Sequence, residues 1–403
     1  MSKIDELIKE LCPNGVEYKK INEIGETFTG LSGKSKKDFE SGNCRYITYT
    51  NIYNNPAVRL DKDDFVNVKN NEKQNYIIKG DILITGSSEN IEDSGMIAVV
   101  TEEPKEKIYL NSFCFGLRLN NKYKNKIIPG YSKHIFRSTY FRNQILKCSF
   151  GVTRYNLNKK MFLELNIPIP PLEVQEEIVK ILDRFSELEA ELEAELETRQ
   201  YQYEFWRENL LNPKDKRSYK SYNICEITEK IFAGGDVPGD TIKGMTAPKG
   251  EYIYPVISNG VGKNAIYGYS KSYKVSGNTV TISARGTVGY HTSRIGKYTP
   301  IIRLITIIPN EKIVLAKYLN YALYITEIES TNGGIQQVTT PMIKKINLNI
   351  PPLEEQKRIV NILDKFDKLI NDISEGIPAE IELRKKQYEY YRNKLLNFKE
   401  VIV

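Results

Sequence analysis

Apolar residues recur at alternating steps of three and four over two stretches of the chain: Ile178, Ile181, Phe185, Leu188 and Leu192 in one, and Ile359, Ile362, Phe366, Leu369 and Ile373 in the other. That spacing keeps one stripe of a helix apolar and predicts a coiled-coil seam. Each stretch opens alike, as Ile169-Pro170-Pro171-Leu172-Glu173 with Gln175 and, 181 residues on, Ile350-Pro351-Pro352-Leu353-Glu354 with Gln356. Each also closes alike, as Gln202-Tyr203-Glu204-Phe205-Trp206-Arg207 and, 185 residues on, Gln387-Tyr388-Glu389-Tyr390-Tyr391-Arg392, so the second copy is four residues longer inside. A proline pair stops a preceding strand and suits a helix start, where the missing N–H is not needed. Glu173, Glu176 and Glu177, or Glu354 and Glu355, then suit the positive end of the helix. No breaker interrupts the first copy from Pro171 to Leu211, which predicts one helix, ~60 Å long at ~1.5 Å per residue. Gly376 and Pro378 split the second copy into two helices.

Short apolar runs bounded by turn residues predict strands in the segments outside these helices. They include Asp81–Gly86, Met96–Val100 and Phe113–Leu119 in the first segment, and Asn278–Ile282, Tyr298–Pro300 and Ile301–Ile308 in the second. Helical stretches follow near Tyr131–Lys147 and Val314–Glu329. The fold class is therefore α+β: two strand-rich domains, at 1–168 and 213–349, alternate with two helical segments, at 169–212 and 350–403. A period this long is too great for a solenoid and marks two similar half-molecules.

Composition narrows the function. At 403 residues the chain exceeds a single core, it has no apolar run long enough for a membrane span, and Met1–Leu7 lacks the apolar centre of a signal peptide. A cytoplasmic location is expected. Cys12, Cys44, Cys114, Cys148 and Cys225 are odd in number, scattered and without a C-x-x-C pair, which argues for reduced thiols over a disulfide framework or zinc site. The net charge of +7 is divided unevenly: residues 1–170 carry +6, 212–351 carry +9, 171–211 carry −8 and 352–398 carry 0. A polyanion would be drawn to the two strand-rich halves and repelled by the first helix, although solvated surface lysines give the same totals.

The first helix contains Glu187-Leu188-Glu189-Ala190, Glu191-Leu192-Glu193-Ala194 and Glu195-Leu196-Glu197. Its like charges at i, i+4 each cost ~0.2–0.5 kcal/mol in isolation. Lys365, Lys368 and Arg384-Lys385-Lys386 offer partners in an antiparallel neighbour; a solvated acidic face is the equal alternative.

Catalytic motifs are missing where their fragments occur. Gly33-Lys34-Ser35 lacks the P-loop's first glycine, because Phe28 stands there. Gly260-Val261-Gly262-Lys263-Asn264-Ala265 runs on into a strand or turn rather than the helix a dinucleotide site needs. Asn349-Ile350-Pro351-Pro352-Leu353 departs from the Asn-Pro-Pro-aromatic pattern of amino-methyltransferases at Ile350 and Leu353, and reads as a strand end and helix start. With two histidines, His134 and His291, in different halves, neither a His-based general base nor a metal cluster is indicated.

Polar loops recur in both halves and suit contact with phosphates and base edges. In the first half the candidates are Lys34, Lys36, Lys37, Thr48, Asn51, Ser87, Ser88, Asn90, Thr153 and Arg154. In the second they are Asn259, Lys263, Ser283, Arg285 and Thr287, with Gln336 and Gln337 in the Gly334–Gln337 loop. Lysine, serine and threonine suit phosphates, whereas arginine, asparagine and glutamine can pair with base edges. Any single loop of this kind is more often an ordinary turn.

The alternation of variable segments with a Pro-Pro-Leu-Glu-x-Gln helix, ending at 387–396 in Gln-Tyr-Glu-Tyr-Tyr-Arg-x-Lys-Leu-Leu, resembles the specificity subunit of Type I restriction-modification systems over essentially the whole chain. The resemblance implies two target recognition domains, each reading one half of a bipartite double-stranded DNA site. It implies antiparallel helices that set the spacing and dock two modification subunits, with Leu172, Gln175, Ile178, Leu353, Gln356 and Ile359 as candidate partner contacts. It further implies that S-adenosylmethionine binds the modification subunits and not this chain, that restriction subunits join where they are encoded, and that the chain is not itself an enzyme. The rival classes are a DNA-processing enzyme with its own methyltransferase or nuclease activity and a coiled-coil adaptor without a DNA role.

Overall fold

The computed structural model describes residues 3–213, 217–331, 336–372 and 374–401. Gly334, Ile335 and Ile373, named above, lie outside the described residues. The chain divides into two compact units, one formed by residues 1–192 and 381–403 and the other by 193–380. As the absence of a breaker predicts, Leu172–Leu211 is one unbroken 40-residue helix. It supplies its first half to one unit and its second half to the other. The distal copy is two helices, Leu353–Asn371 and Ile377–Leu395. Gly376 lies at the break, where a Cβ would stand 2.7 Å from the carbonyl oxygens of Lys368, Leu369 and Asp372.

The same sheet is built in each unit. In the first, antiparallel strands lie in the order Gly25–Thr29, Cys114–Leu119, Ile82–Thr85, Ile97–Val99. In the second the order is Thr228–Ala233, Ile305–Pro309, Asn278–Ile282, His291–Ile295. A two-stranded ladder then leads into each helix: Glu17–Lys20 with Asn166–Ile169, and Lys220–Asn223 with Asn347–Ile350. The apolar run Ile301–Ile308 is not one strand, contrary to the pattern. Ile302 and Arg303 turn through φ 52° and 60°, and the ladder resumes at Ile305. Backbone bonds from Ile302 N to Gly235 O at 2.9 Å and from Arg303 N to Gly234 O at 3.0 Å hold that turn against the steric preference of a β-branched residue.

Each helix start is fastened to its own domain by the glutamine of the repeated motif. Gln175 accepts the Ile128 N–H at 3.0 Å and donates to Lys126 O at 2.7 Å and Pro170 O at 2.8 Å. Gln356 accepts the Leu315 N–H at 2.9 Å and donates to the Ile313 and Pro351 carbonyls, both at 2.8 Å. Ile128 and Leu315 are the N-caps of the helices Pro129–Ile135 and Ala316–Tyr324, so the amide oxygen accepts the N-cap N–H that the N3 side chain accepts in a capping box. One to two turns on, Ile178 and Leu182 enter the first core and Ile359 and Leu363 the second. Full burial of such side chains stabilises by ~1.5–3 kcal/mol each.

The helix ends complete the arrangement. Leu395, Leu396 and Phe398 close the first core, and the chain behind them is tied to the amino-terminal segment by Val16 N to Lys399 O at 2.8 Å and Val401 N to Val16 O at 3.1 Å. Leu210 and Leu211 close the second core. Within the first unit the long helix runs antiparallel to Ile377–Leu395: Phe185 stacks on Tyr391 with centroids 5.2 Å apart, and Glu189 meets Lys385 at 3.5 Å. Within the second, Tyr203 meets Phe366 at 6.1 Å. The acidic stretch is also served by its own helix, through Arg184 to Glu187 at 3.2 Å and Arg199 to Glu195 at 3.3 Å, while Lys368 pairs with Glu375. Such exposed pairs are worth ~0–1 kcal/mol each.

Candidate nucleic-acid interface

In the first unit three short strands, Ser149–Phe150, Tyr155–Leu157 and Ser87–Ser88, form a small sheet whose hairpin carries Thr153 and Arg154. Gly151 makes the hairpin possible, because at φ 156° a Cβ there would lie 1.9 Å from Arg154 O. Arg154 Nε donates to Ser87 Oγ at 3.1 Å, and its guanidinium lies 5.7 Å from the Phe113 ring centroid. Tyr49 donates its hydroxyl to Ser87 O at 3.0 Å. Phe150 and Val152 of the same hairpin and Phe113 are exposed apolar side chains, Val152 being 89% accessible. Thr48, the N-cap of the helix Tyr49–Asn54, adjoins it in sequence.

Other first-unit candidates are committed to the fold. Asn51 is buried and bridges Arg59, accepting from its N at 3.0 Å and donating to its O at 2.8 Å, so its amide is not presented to a base edge. Lys34 is held in an ion pair with Glu72, its side chain almost wholly buried. Ser88 is buried and accepts the Asn90 N–H at 3.3 Å, and Asn90 donates to Asp93 at 3.3 Å. Lys36 and Lys37 remain exposed on a single 3-10 turn, available for phosphates.

The second unit repeats one backbone bond of this cluster with different side chains beside it. Val338 N donates to Ala284 O at 3.1 Å, as Leu157 N does to Gly86 O at 3.0 Å. Beside that bond Arg285 donates to Gln337 Oε1, from Nη2 at 3.1 Å and more weakly from Nε at 3.4 Å. Arg285, Thr287, Lys263 and Gln336 are exposed. Asn259 is instead a strut, accepting from Ala284 N at 2.8 Å and donating to Ile302 O at 2.7 Å; Ser283 is buried. Tyr49, Phe113 and the Ile302–Arg303 turn were not singled out by the sequence pattern. Phe113 and Arg303 were absorbed into apolar runs that read as strands.

Both histidines are neutral supports rather than reactive groups. Burial pushes His134 below its ordinary value, even though Asp183 Oδ1 lies 2.6 Å from its Nε2; Tyr388 OH is 3.1 Å from its Nδ1. Burial opposes the charge of Asp183 as well, but bonds from His134 and Lys133 hold its carboxyl below the usual range. Burial likewise lowers His291, which meets Asn320 at 3.0 Å. Among the described residues no group of three or more His, Cys, Asp or Glu side chains is placed to hold a metal ion.

The candidate partner contacts on the helices divide sharply. Gln175, Ile178, Gln356 and Ile359 are fully buried, the glutamines in the bonds given above and the isoleucines in the cores, so they cannot face a partner; Leu172 is exposed and Leu353 half-buried. Large exposed side chains occur instead at the closing motif. Phe205 and Trp206 make an edge-on pair at 5.8 Å, and Tyr390 and Tyr391 repeat it at 5.3 Å, 185 positions on. Phe205 is 61% and Tyr390 62% accessible.

Two like units, each with an exposed arginine-bearing loop cluster and a shared helical segment, define an internally repeated recognition protein. Residues 13–198 and 217–383 each match the model of the Type I restriction modification DNA specificity domain, and the chain belongs to that family. Its function is DNA sequence recognition within a Type I restriction-modification complex. A protein of Mycoplasma pneumoniae described as a type I specificity subunit is 39% identical over 256 residues, covering 60% of this chain and 75% of the relative. Another, of Haemophilus influenzae, is 39% identical over 267 residues, covering 62% and 68%. The fold is that of solved S subunits. The Mycoplasma genitalium protein aligns at a TM-score of 0.54 with 13% identity, covering 95% of this chain and 96% of that one. A chain of a type I R-M system aligns at 0.60 with 17% identity, covering 96% and 98%. No helix among the described residues is long and apolar enough to cross a membrane.

Proposed function

We propose that each unit reads one half of a bipartite duplex DNA site through its loop cluster, and that the helices set the spacing and dock two modification subunits. The duplicated junction carries this reading: the same glutamine, at 175 and at 356, fixes each reading domain to its own copy of the helix start through three matching bonds. A rigid junction transmits the position of the helix to the loops. The positive charge of the two strand-rich segments and the −8 of residues 171–211 assign phosphate contact to the readers and not to the spacer.

The exposed pairs Phe205–Trp206 and Tyr390–Tyr391 are the docking patches in this reading, replacing the buried glutamines and isoleucines. Two equivalent patches fit two copies of one partner. S-adenosylmethionine is bound by the modification subunits, and restriction subunits join where they are encoded. Co-expression with the modification subunit, followed by mapping of methylated adenines, tests the whole: a bipartite motif specified by this chain is expected. S-adenosylmethionine binding by the purified chain would favour a self-contained enzyme, and DNA affinity insensitive to salt would favour an adaptor.

A further inference from the structure

Each unit holds one arginine beside the same backbone bond, but brings it there from opposite strands. The bonds Leu157 N to Gly86 O and Val338 N to Ala284 O mark the correspondence. It matches Ser87 with Arg285 and Asn156 with Gln337. In the first unit the guanidinium comes from the hairpin, as Arg154, and is anchored on Ser87 Oγ. In the second it comes from the Ser87 position itself, as Arg285, and is anchored on Gln337 Oε1. An arginine anchored by a polar side chain of the facing strand thus flanks the corresponding bond in each unit.

Neither anchor uses all the donors of its guanidinium. Arg154 is held through Nε at 3.1 Å, its terminal amines make no hydrogen bond among the described residues, and its guanidinium lies 5.7 Å from the Phe113 ring centroid. Arg285 is held along its Nε and Nη2 edge, which leaves Nη1 and the second Nη2 hydrogen. Both side chains are exposed at the loop surface. An arginine so fixed loses less conformational entropy on binding than a free one. Two parallel N–H groups match the O6 and N7 acceptors that guanine alone presents together in the major groove.

Resting on the proposed DNA-reading role, we infer that Arg154 and Arg285 are the guanine-reading residues of the two units and occupy equivalent positions in the two half-sites. Ser87 and Gln337 are positioning residues. Each half-site accordingly contains a guanine at the corresponding step, preferred over other bases by the ~5- to 150-fold that one paired arginine–guanine contact confers.

Selection from a random duplex pool by the full chain, in complex with its modification subunit, tests this. The wild-type protein is expected to select a two-part motif. R154A is expected to lose guanine preference at one position of one half, R285A at the corresponding position of the other, each with the remaining positions intact. S87A should weaken the same position as R154A. A wild-type motif whose guanines are unaffected by both variants overturns the inference while leaving the DNA-reading role standing, as does loss of an entire half-site, which would mark a structural role. Failure of the wild-type complex to select any motif overturns the DNA-reading role itself.

Discussion

Gln175 and Gln356 make matching sets of three hydrogen bonds in two different units, with no bond of either set longer than 3.0 Å. Both side chains are wholly buried. Each wholly buried amide therefore satisfies a helix N-cap N–H and two carbonyls. Truncation to alanine leaves those groups unpaired, at a cost of ~1–3 kcal/mol for each unsatisfied buried group. Q175A and Q356A are each expected to lower the unfolding free energy, read from the denaturant midpoint and slope, by an amount in that range or above. Leu172→Ala, exposed on the same helix turn, should leave the unfolding free energy within ~0.5 kcal/mol of wild type. Equal midpoints for Q175A and wild type would remove the junction argument.

The proposed docking patches are separable from stability. Phe205 and Tyr390 are mostly exposed, so F205A and Y390A are expected to unfold close to the wild-type midpoint. Buried aromatic anchors at interfaces cost ~2 kcal/mol or more when truncated, so each variant should weaken capture of a modification subunit by ~30-fold. Native mass spectrometry of the co-expressed complex is expected to show one modification subunit for either single variant and none for the double. Two subunits retained in the double variant would place the docking surface elsewhere.

Acid should destabilise the fold earlier than carboxylate protonation alone would require. Burial lowers both His134 and His291 from an ordinary value of 6.5. Below that value the unfolded chain takes up protons that the folded one resists. Their contribution is thus complete above about pH 6.5 and is lost progressively as pH falls toward the folded values. The groups around His134 are Lys133, Asp183, Tyr388 and Arg392. Asp183, held below its ordinary 3.8, adds a second loss in the same direction at lower pH. Urea midpoints measured from pH 7.5 to 5.5 are expected to fall for wild type and to fall less for H291N. Parallel slopes in the two proteins would contradict the burial argument.

The helical frame was legible in the sequence because its signals are local. Heptad steps, a proline pair and a Gly-x-Pro break each act within one or two turns, and the helices Leu172–Leu211, Leu353–Asn371 and Ile377–Leu395 follow from them. The interface was less legible because side-chain chemistry does not report who is already paired. Asn51 and Asn259 have the right amides for base edges, yet both are used to bridge backbone groups 8 and 43 residues away in sequence. Arg154 and Arg285 carry the same chemistry and remain outward, a difference set by distant strand pairing. Gln175 and Gln356 show the converse: repetition marked them as important, but only the fold shows that their task is internal.

The four-residue difference between the helix copies points to how the spacing is controlled. The division between the two units falls at Leu192/Glu193, inside the Glu-Leu-Glu-Ala repeat of an unbroken helix. Four helical residues advance ~6 Å and turn ~400°, a net ~40°, whereas one base pair advances ~3.4 Å and turns ~34–36°. Rotation therefore matches one base pair closely, although translation overshoots it. Deleting Glu191-Leu192-Glu193-Ala194 is expected to preserve the apolar seam and to shorten the unread spacer of the methylated motif by about one base pair, both half-site sequences being retained. Deleting Glu191-Leu192 alone turns the helix by ~200°. That change puts the seam on the wrong face and should abolish site-specific methylation. Mapping methylated adenines in cells carrying each variant reads both outcomes, and an unchanged spacer in the four-residue deletion would show that the repeat does not set the distance.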